Sequence, residues 1–181
     1  MILIQEKYFM HENTFYFYIR EVFESELGKC AEIIRKSFAT VAGQFHITQE
    51  NLPNHRAFIQ TERLIWDKNQ GVMQFGLFIK NDGGDILAGF AALEKVSGDV
   101  YEFHMLSVPP EYRHNGFGAA IIEFKFIKAK VRELNGKKIE IDLIEENIVL
   151  KNWYLSNGFV HTGTKAIPNV PFIIGYMEVE V

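Results

Sequence analysis

The chain has 181 residues, 48% hydrophobic and 23% charged, with a formal net charge of −4: long enough to bury a core without staples or metals, and too acidic to favour a nucleic-acid partner, whose phosphates are held by clustered Lys and Arg. Its single cysteine, Cys30, excludes an intramolecular disulfide; no Cys/His cluster has zinc-like spacing, so no metal is expected; and no apolar run approaches the ~20 residues that span a bilayer. Met1 to Ile4 meet Glu6 and Lys7 too soon for a signal-peptide core, and the expectation is a cytoplasmic protein with no membrane partner.

No repeat, low-complexity tract or linker divides the chain, so residues 1–181 are expected to form one domain. Residues 14–20, aromatic and β-branched, predict a first strand. Leu27, Ala31, Ile34 and Phe38 then recur at helical spacing with Ser25 as N-cap, and a second helix is expected from His55 to Asp67. Between them, Thr40 to Asn54 has little periodicity and reads as a loop or a broken helix. Apolar runs at 74–80 and 86–95 flank Asn81-Asp82-Gly83-Gly84-Asp85, the clearest hairpin signal in the chain. A strand over Val100–Val108 is stopped by Pro109-Pro110. Ile121, Phe124, Ile127, Val131 and Leu134 predict one long helix closed by Asn135-Gly136. Ile139, Ile141 and Leu143 alternate as a strand, 147–157 reads as a short helix, and strands near 159–165 and 172–180 close the chain. An antiparallel meander followed by a crossover helix implies a mixed α/β (α+β) fold with helices on the sheet.

The stretch carrying chemistry runs from Leu106 to Ala119. A strand ends at the prolines, a short loop turns, and a helix opens near Gly118. The first N–H groups of a helix lack internal partners and carry the positive end of its dipole. Glycines at 116 and 118 let backbone approach a ligand, and together these features suit a phosphate. For Gly-x-Gly alone, a strand-to-helix turn whose glycines only relieve strain is the favoured reading. No Gly-Lys-Ser/Thr follows, so this is no P-loop, and Ile121 at the third glycine position argues against a dinucleotide fingerprint.

Arg113-x-x-Gly116-x-Gly118, preceded by Val108-Pro109, resembles the acetyl-CoA motif of the GNAT superfamily of N-acetyltransferases. A second block, Asn147 to Phe159 with Trp153-Tyr154 and Gly158-Phe159, resembles that family's Asn-x-x-Ala-x-x-Phe-Tyr-x-x-x-Gly-Phe segment, with Leu150 for the small residue and Trp153 for Phe. The resemblance implies a mostly antiparallel sheet flanked by helices and splayed at the cofactor site. It also implies acetyl-CoA as cosubstrate, its pyrophosphate on amides from Arg113 through His114, Asn115, Gly116, Phe117 and Gly118 to Ala119. The pantetheine would then lie along Leu106, Ser107 and Val108, with Asn147 and Asn152 as further contacts. An N–H of Leu106 or Val108 would polarise the thioester carbonyl.

In that frame Tyr154 is the candidate acid for the departing thiolate; a core tyrosine with a locally satisfied hydroxyl is the plainer alternative. Glu102 and His104 are the candidate bases, Glu102 slightly ahead. The strand period of two puts both on one face with Leu106 and Val108, and ordered water could serve instead. The acceptor is an amine on a small molecule or peptide, selected by loops near 40–55, which hold Phe45 and His46, and 165–172. Lys125, Lys128, Lys130 and Arg132 read as a solvated helix face, Cys30 and Trp153 as core, and His11, His55 and His161 as without partners. The β-rich tail from Phe172 to Val181 is a candidate for pairing across a homodimer. The competing readings are a non-catalytic coenzyme A sensor or partner-binding domain of the same fold and, more remotely, a nucleotide-dependent enzyme.

Overall fold

The computed structural model describes residues 4–10, 13–122 and 126–181, with side chains from Tyr16 onward. β1 (Ile4–Met10) and β2 (Asn13–Glu21) open it as an antiparallel pair, so the strand expected first is second. β1 carries Glu6 and Lys7 in mid-strand and pairs on one side only; an edge strand needs little apolar pattern to hold its place. A 3-10 turn, Glu24–Glu26, leads into α1 (Leu27–Gln44). Glu26, not Ser25, caps this start: its carboxylate accepts the Phe23 N–H at 2.8 Å and holds Arg20 at 2.7 Å. α1 continues past Phe38 to Gln44 because Val41 and Ala42 still have apolar partners, in a cluster with Ile47, Ile144 and Phe172. The helix expected from His55 divides into a 3-10 turn, Arg56–Phe58, and α2 (Thr61–Asn69). Ile59 and Gln60 between them are extended, and the His55 ring accepts the Ala57 N–H at 3.2 Å.

β3 (Met73–Ile79) and β4 (Ile86–Ser97) form the expected hairpin, and β5 (Val100–Ser107) follows antiparallel. The long helix expected next is two: α3 (Phe117–Ile122) and α4 (Ile127–Glu133). Phe124 and Lys125 lie outside the described residues. Phe126, at φ −125° and ψ −78°, leaves helical backbone and buries its ring edge-on against Phe75, centroids 4.8 Å apart. Lys128 is accordingly not on a solvated face: it is buried, with Nζ 3.4 Å from the Asn157 carbonyl. β6 (Lys138–Ile144), α5 (Ile148–Ser156), β7 (Val160–Ala166) and β8 (Ile173–Glu180) complete the fold.

The strands make one eight-stranded sheet in the order β1-β2-β3-β4-β5-β6-β8-β7, parallel only between β5 and β6. α1 and α2 cover one face through Leu27, Ile34 and Leu64. α3, α4 and α5 cover the other through Phe117, Ile121, Val131 and Tyr154. Cys30, on the inner face of α1, is fully buried, as a small core hydrophobe should be. β8 lies between β6 and β7, its ladder bonds committed on both sides, so the tail cannot add a strand across a dimer. Among the described residues no helix is long and apolar enough to cross a membrane.

Candidate active site

The sheet opens where its strand direction changes. β5 pairs with β6 only from Val100 to Glu102, opposite Lys138 to Glu140, yet β5 runs on to Ser107 and β6 to Ile144. Beyond Glu102 the two strands share no ladder, which leaves the splayed gap the fold was expected to have. On its other side β5 bulges against β4: Ala92 faces His104 but Phe90 faces Ser107, so two steps on β4 span three on β5. Met105 takes up the extra residue at φ +55°, a left-handed conformation uncommon for a bulky side chain. Ser107, with no exposure, donates its Oγ–H to the Met105 carbonyl at 3.0 Å and ties the bulge shut.

The bulge overturns one expectation. A strict period of two would put Glu102, His104, Leu106 and Val108 on one face. Instead Arg56, from the α1–α2 layer, acts on both Glu102 and His104, whereas Leu106 and Val108 pack into the cluster beneath α3 and α5. The extra residue reverses the alternation at Met105, which itself joins the α1–α2 cluster.

The loop after β5 presents main-chain donors. The Tyr112 and Arg113 N–H groups turn back to the carbonyls of Pro109 and Pro110. His114 (φ +62°) and Gly116 (φ +74°) then flip the backbone in the left-handed region, which glycine adopts readily and histidine does not. The Ala120 N–H closes on the Gly116 carbonyl at 2.9 Å. Among the described residues the amides of His114, Asn115, Gly116, Gly118 and Ala119 donate to no protein acceptor. Phe117 anchors the turn, its ring edge-on to Phe17 with centroids 5.5 Å apart. Gly118 also serves packing: a Cβ there would stand 3.3 Å from the Trp153 indole, half-buried on α5. Arg113 does not join the donors. Its N–H is used internally, and its guanidinium turns inward to Val108, Ser37 and Thr40.

α5 lines the gap from the α3 side. Asn147 caps it as expected, Oδ1 accepting the Leu150 N–H at 3.2 Å, while Asn152 is exposed. Tyr154 is buried between Trp153 and Phe159, ring centroids 5.0 and 5.3 Å away. Its hydroxyl has no hydrogen-bond partner among the described residues. Burial, with the Asp142 carboxylate behind it, pushes this phenol above its ordinary value. Across the gap, burial raises the Glu102 carboxyl, and Asp142 and Glu94 add to the shift while Arg56 opposes it. His104 moves the other way, down to about 4, through burial and then Arg56 and Arg63; its Nε2 is buried without a partner.

The Asp142 carboxylate favours the protonated forms of Tyr154, Glu102 and Arg56 alike. Sequence reasoning passed over Asp142 and Arg56. Asp142 was legible as the polar position of an alternating strand; Arg56, in an aperiodic stretch, carried no signal. Phe45 and Phe172 meet edge-on at 6.5 Å in the cluster containing Ile144, which joins the two segments expected to frame the acceptor at the end of β6. Of the histidines expected to lack partners, His55 has one as above and His161 pairs with Glu145 at 3.0 Å, while His11 lies outside the described residues. Among the described residues no three His, Cys, Asp or Glu side chains are grouped as metal ligands.

Residues 74–161, which span the splay, the bulge, the donor loop and α5, match the family model of the acetyltransferase (GNAT) domain. The chain carries a GNAT domain. Its fold is shared by the ribosomal-protein-S18-alanine N-acetyltransferase of Escherichia coli, 15% identical with TM-score 0.67, covering 91% of this chain and 93% of that one. The PaiA N-acetyltransferase of Thermoplasma acidophilum, solved with coenzyme A, is 20% identical with TM-score 0.70 over 91% and 99%. The spermidine N-acetyltransferase of Vibrio cholerae, solved with coenzyme A and spermine, is 16% identical with TM-score 0.67 over 91% and 95%. No curated protein sequence matches the chain. The GNAT domain here fits a pyrophosphate-bearing cosubstrate on its own geometry: a run of unpartnered amides opens beside a gap that no ladder bond closes.

Proposed function

We propose that the chain is a single, cytoplasmic N-acetyltransferase domain that transfers acetyl from acetyl-CoA to a primary amine by direct attack. The observation that carries this reading is the adjacency of the β5–β6 gap and the amides of His114, Asn115, Gly116, Gly118 and Ala119, which donate to no protein acceptor among the described residues. These amides, His114, Asn115, Gly116, Gly118 and Ala119 foremost, hold the pyrophosphate. Leu106 to Val108, beyond the bulge, flank the pantetheine, and an N–H of this segment polarises the thioester carbonyl.

Glu102 takes a proton from the acceptor ammonium, directly or through water, and its raised pKa improves it for that task. The amine nitrogen then bonds the acetyl carbon as the C–S bond breaks, the Tyr154 hydroxyl donates to the departing thiolate, and the second proton shed by the new amide nitrogen returns through water to the phenolate. Burial keeps that phenol protonated and therefore a donor throughout the working range.

The register supports a cationic acceptor. Glu94 faces Glu102, Glu102 faces Glu140, and Glu140 faces Glu178, a cross-strand row of carboxylates over β4, β5, β6 and β8. Like charges directly opposed in a sheet are destabilising. Lys138 answers two of them, with Nζ 3.0 Å from both Glu140 and Glu178.

The test is thiol release from acetyl-CoA with a panel of amines, alongside calorimetry with coenzyme A. Turnover with at least one amine is expected, and Tyr154→Phe should lower kcat by about 100-fold with coenzyme A affinity unchanged. Binding without turnover on any amine would convert the reading to a sensor of the same fold. Wild-type protein that ignores coenzyme A at millimolar concentration would end it.

A further inference from the structure

Three polar bonds from one guanidinium tie the donor loop to its neighbours, two of them to a helix more than seventy residues upstream. Arg113 Nε donates to the Val108 carbonyl at 2.9 Å, one guanidinium nitrogen to Thr40 Oγ1 at 3.1 Å, and the other to the Ser37 carbonyl at 2.9 Å. Val108 closes the bulged end of β5, Arg113 opens the donor loop, and Ser37 and Thr40 lie on α1. Thr40 adds a bond of its own, Oγ1 to the Ser37 carbonyl at 2.9 Å. All three acceptors are neutral oxygens, so the planar fork is used for its geometry and not to neutralise a carboxylate. A lysine ammonium, a point charge on a flexible stem, cannot span the three.

We infer that Arg113 is a positioning residue that sets the cofactor loop against α1, and that it contributes to coenzyme A affinity through this strut and not by contact with phosphate. The inference rests on the acetyltransferase reading and adds to it a role for α1. The Arg113 fork holds the strand end and the loop at one fixed spacing, which orients the amides from His114 to Ala119. It also reaches the helix whose far end, at Val41, Ala42 and Phe45, packs with Ile144 and Phe172 over the acceptor side. The cofactor loop and the acceptor wall are thereby braced on one guanidinium.

The experiment is calorimetric titration of the full chain with coenzyme A, comparing wild type, Arg113→Ala, Arg113→Lys, Thr40→Val and Arg113→Ala/Thr40→Val, each with its melting curve. Arg113→Ala and Arg113→Lys should both bind coenzyme A about tenfold more weakly, which is ~1.4 kcal/mol, and millimolar guanidinium should restore affinity to Arg113→Ala. Thr40→Val, an exposed change on α1, should weaken binding roughly threefold, ~0.7 kcal/mol, in the wild-type background and not at all once Arg113 is gone. Wild-type affinity in Arg113→Lys would show that charge alone matters and overturn the strut. So would a Thr40→Val effect that is absent, or equal in both backgrounds. Should Arg113→Ala fail to fold, Arg113→Lys and Thr40→Val decide the matter. A wild-type chain that ignores coenzyme A sinks the acetyltransferase reading along with the strut; binding that no variant disturbs sinks the strut alone.

Discussion

Glu102 and His104 stand two residues apart on β5, and burial moves them in opposite senses: both lose solvent, but the charged form is the base of one and the acid of the other. Two consequences can be measured. If Glu102 is the base, the acid limb of kcat/KM lies above the ordinary carboxylate range, because the raised group stays protonated, and idle, to higher pH. Glu102→Gln should abolish that limb and cost about 100-fold in kcat/KM, while His104→Gln leaves the limb in place. His104 instead bears on stability. Its pKa falls from 6.5 unfolded to about 4 folded, so its contribution is full above pH 6.5 and is lost as pH falls toward 4. His104→Gln should flatten acid unfolding over that window; an activity limb that moves in His104→Gln would transfer the base to the histidine. The strand, loop and short helix that carry the candidate residues were legible in the sequence. Side-chain direction was not: nothing in Arg113-x-x-Gly116-x-Gly118 says that the arginine turns away from the ligand, because Ser37 and Thr40 are more than seventy positions upstream.

At the scale of elements, pattern predicted well where nothing interrupts it: unbroken apolar runs for β3 and β4, which are buried on both faces, and alternation for β6. It failed where a local interruption outweighs the period. The bulge at Met105 reversed the second half of β5, and a strict alternation cannot announce an inserted residue. Phe126 broke the expected long helix for a ring contact with Phe75 across the layer interface, which only tertiary structure supplies. The glutamate row is of the same kind, since each residue is unremarkable on its own strand and the row exists only in register. It makes a prediction about acceptors. A diamine or polyamine, carrying a second ammonium along the row, should show a KM roughly tenfold below that of a monoamine of equal length, the equivalent of ~1.4 kcal/mol, and added salt should narrow the gap. Glu140→Gln and Glu178→Gln should each shrink the preference with kcat unchanged. Equal KM values for mono- and diamines at low salt would remove the row from recognition.

On the scale of the whole molecule, the order of elements sufficed to foresee a mixed sheet covered by helices, but not its edges: β1 was unseen and β8 proved internal. The topology has a mechanical consequence. Strands β1 to β5 form one continuous antiparallel block and β6 to β8 another, and the blocks meet at three parallel residue pairs, Val100–Lys138 to Glu102–Glu140. The rest of the joint is the gap itself. A cosubstrate laid in that gap reaches from the donor loop to both strand edges and replaces ladder bonds the protein lacks. Binding to the native state alone stabilises by about 2.7 kcal/mol at a hundredfold excess over Kd, which for a chain of this size raises Tm by roughly 5–10 °C. Any tight ligand does as much, so the decisive readout is where the stabilisation falls. Coenzyme A should slow amide hydrogen exchange in Phe103–Ser107 of β5 and Ile141–Ile144 of β6 together with the His114–Ala119 loop. Adenosine 3′,5′-bisphosphate, which can occupy the loop but has no pantetheine to enter the gap, should protect the loop alone. Equal protection of both strands by the two ligands would mean that the blocks are already joined without the pantetheine, and the splay would lose its place in the binding mechanism.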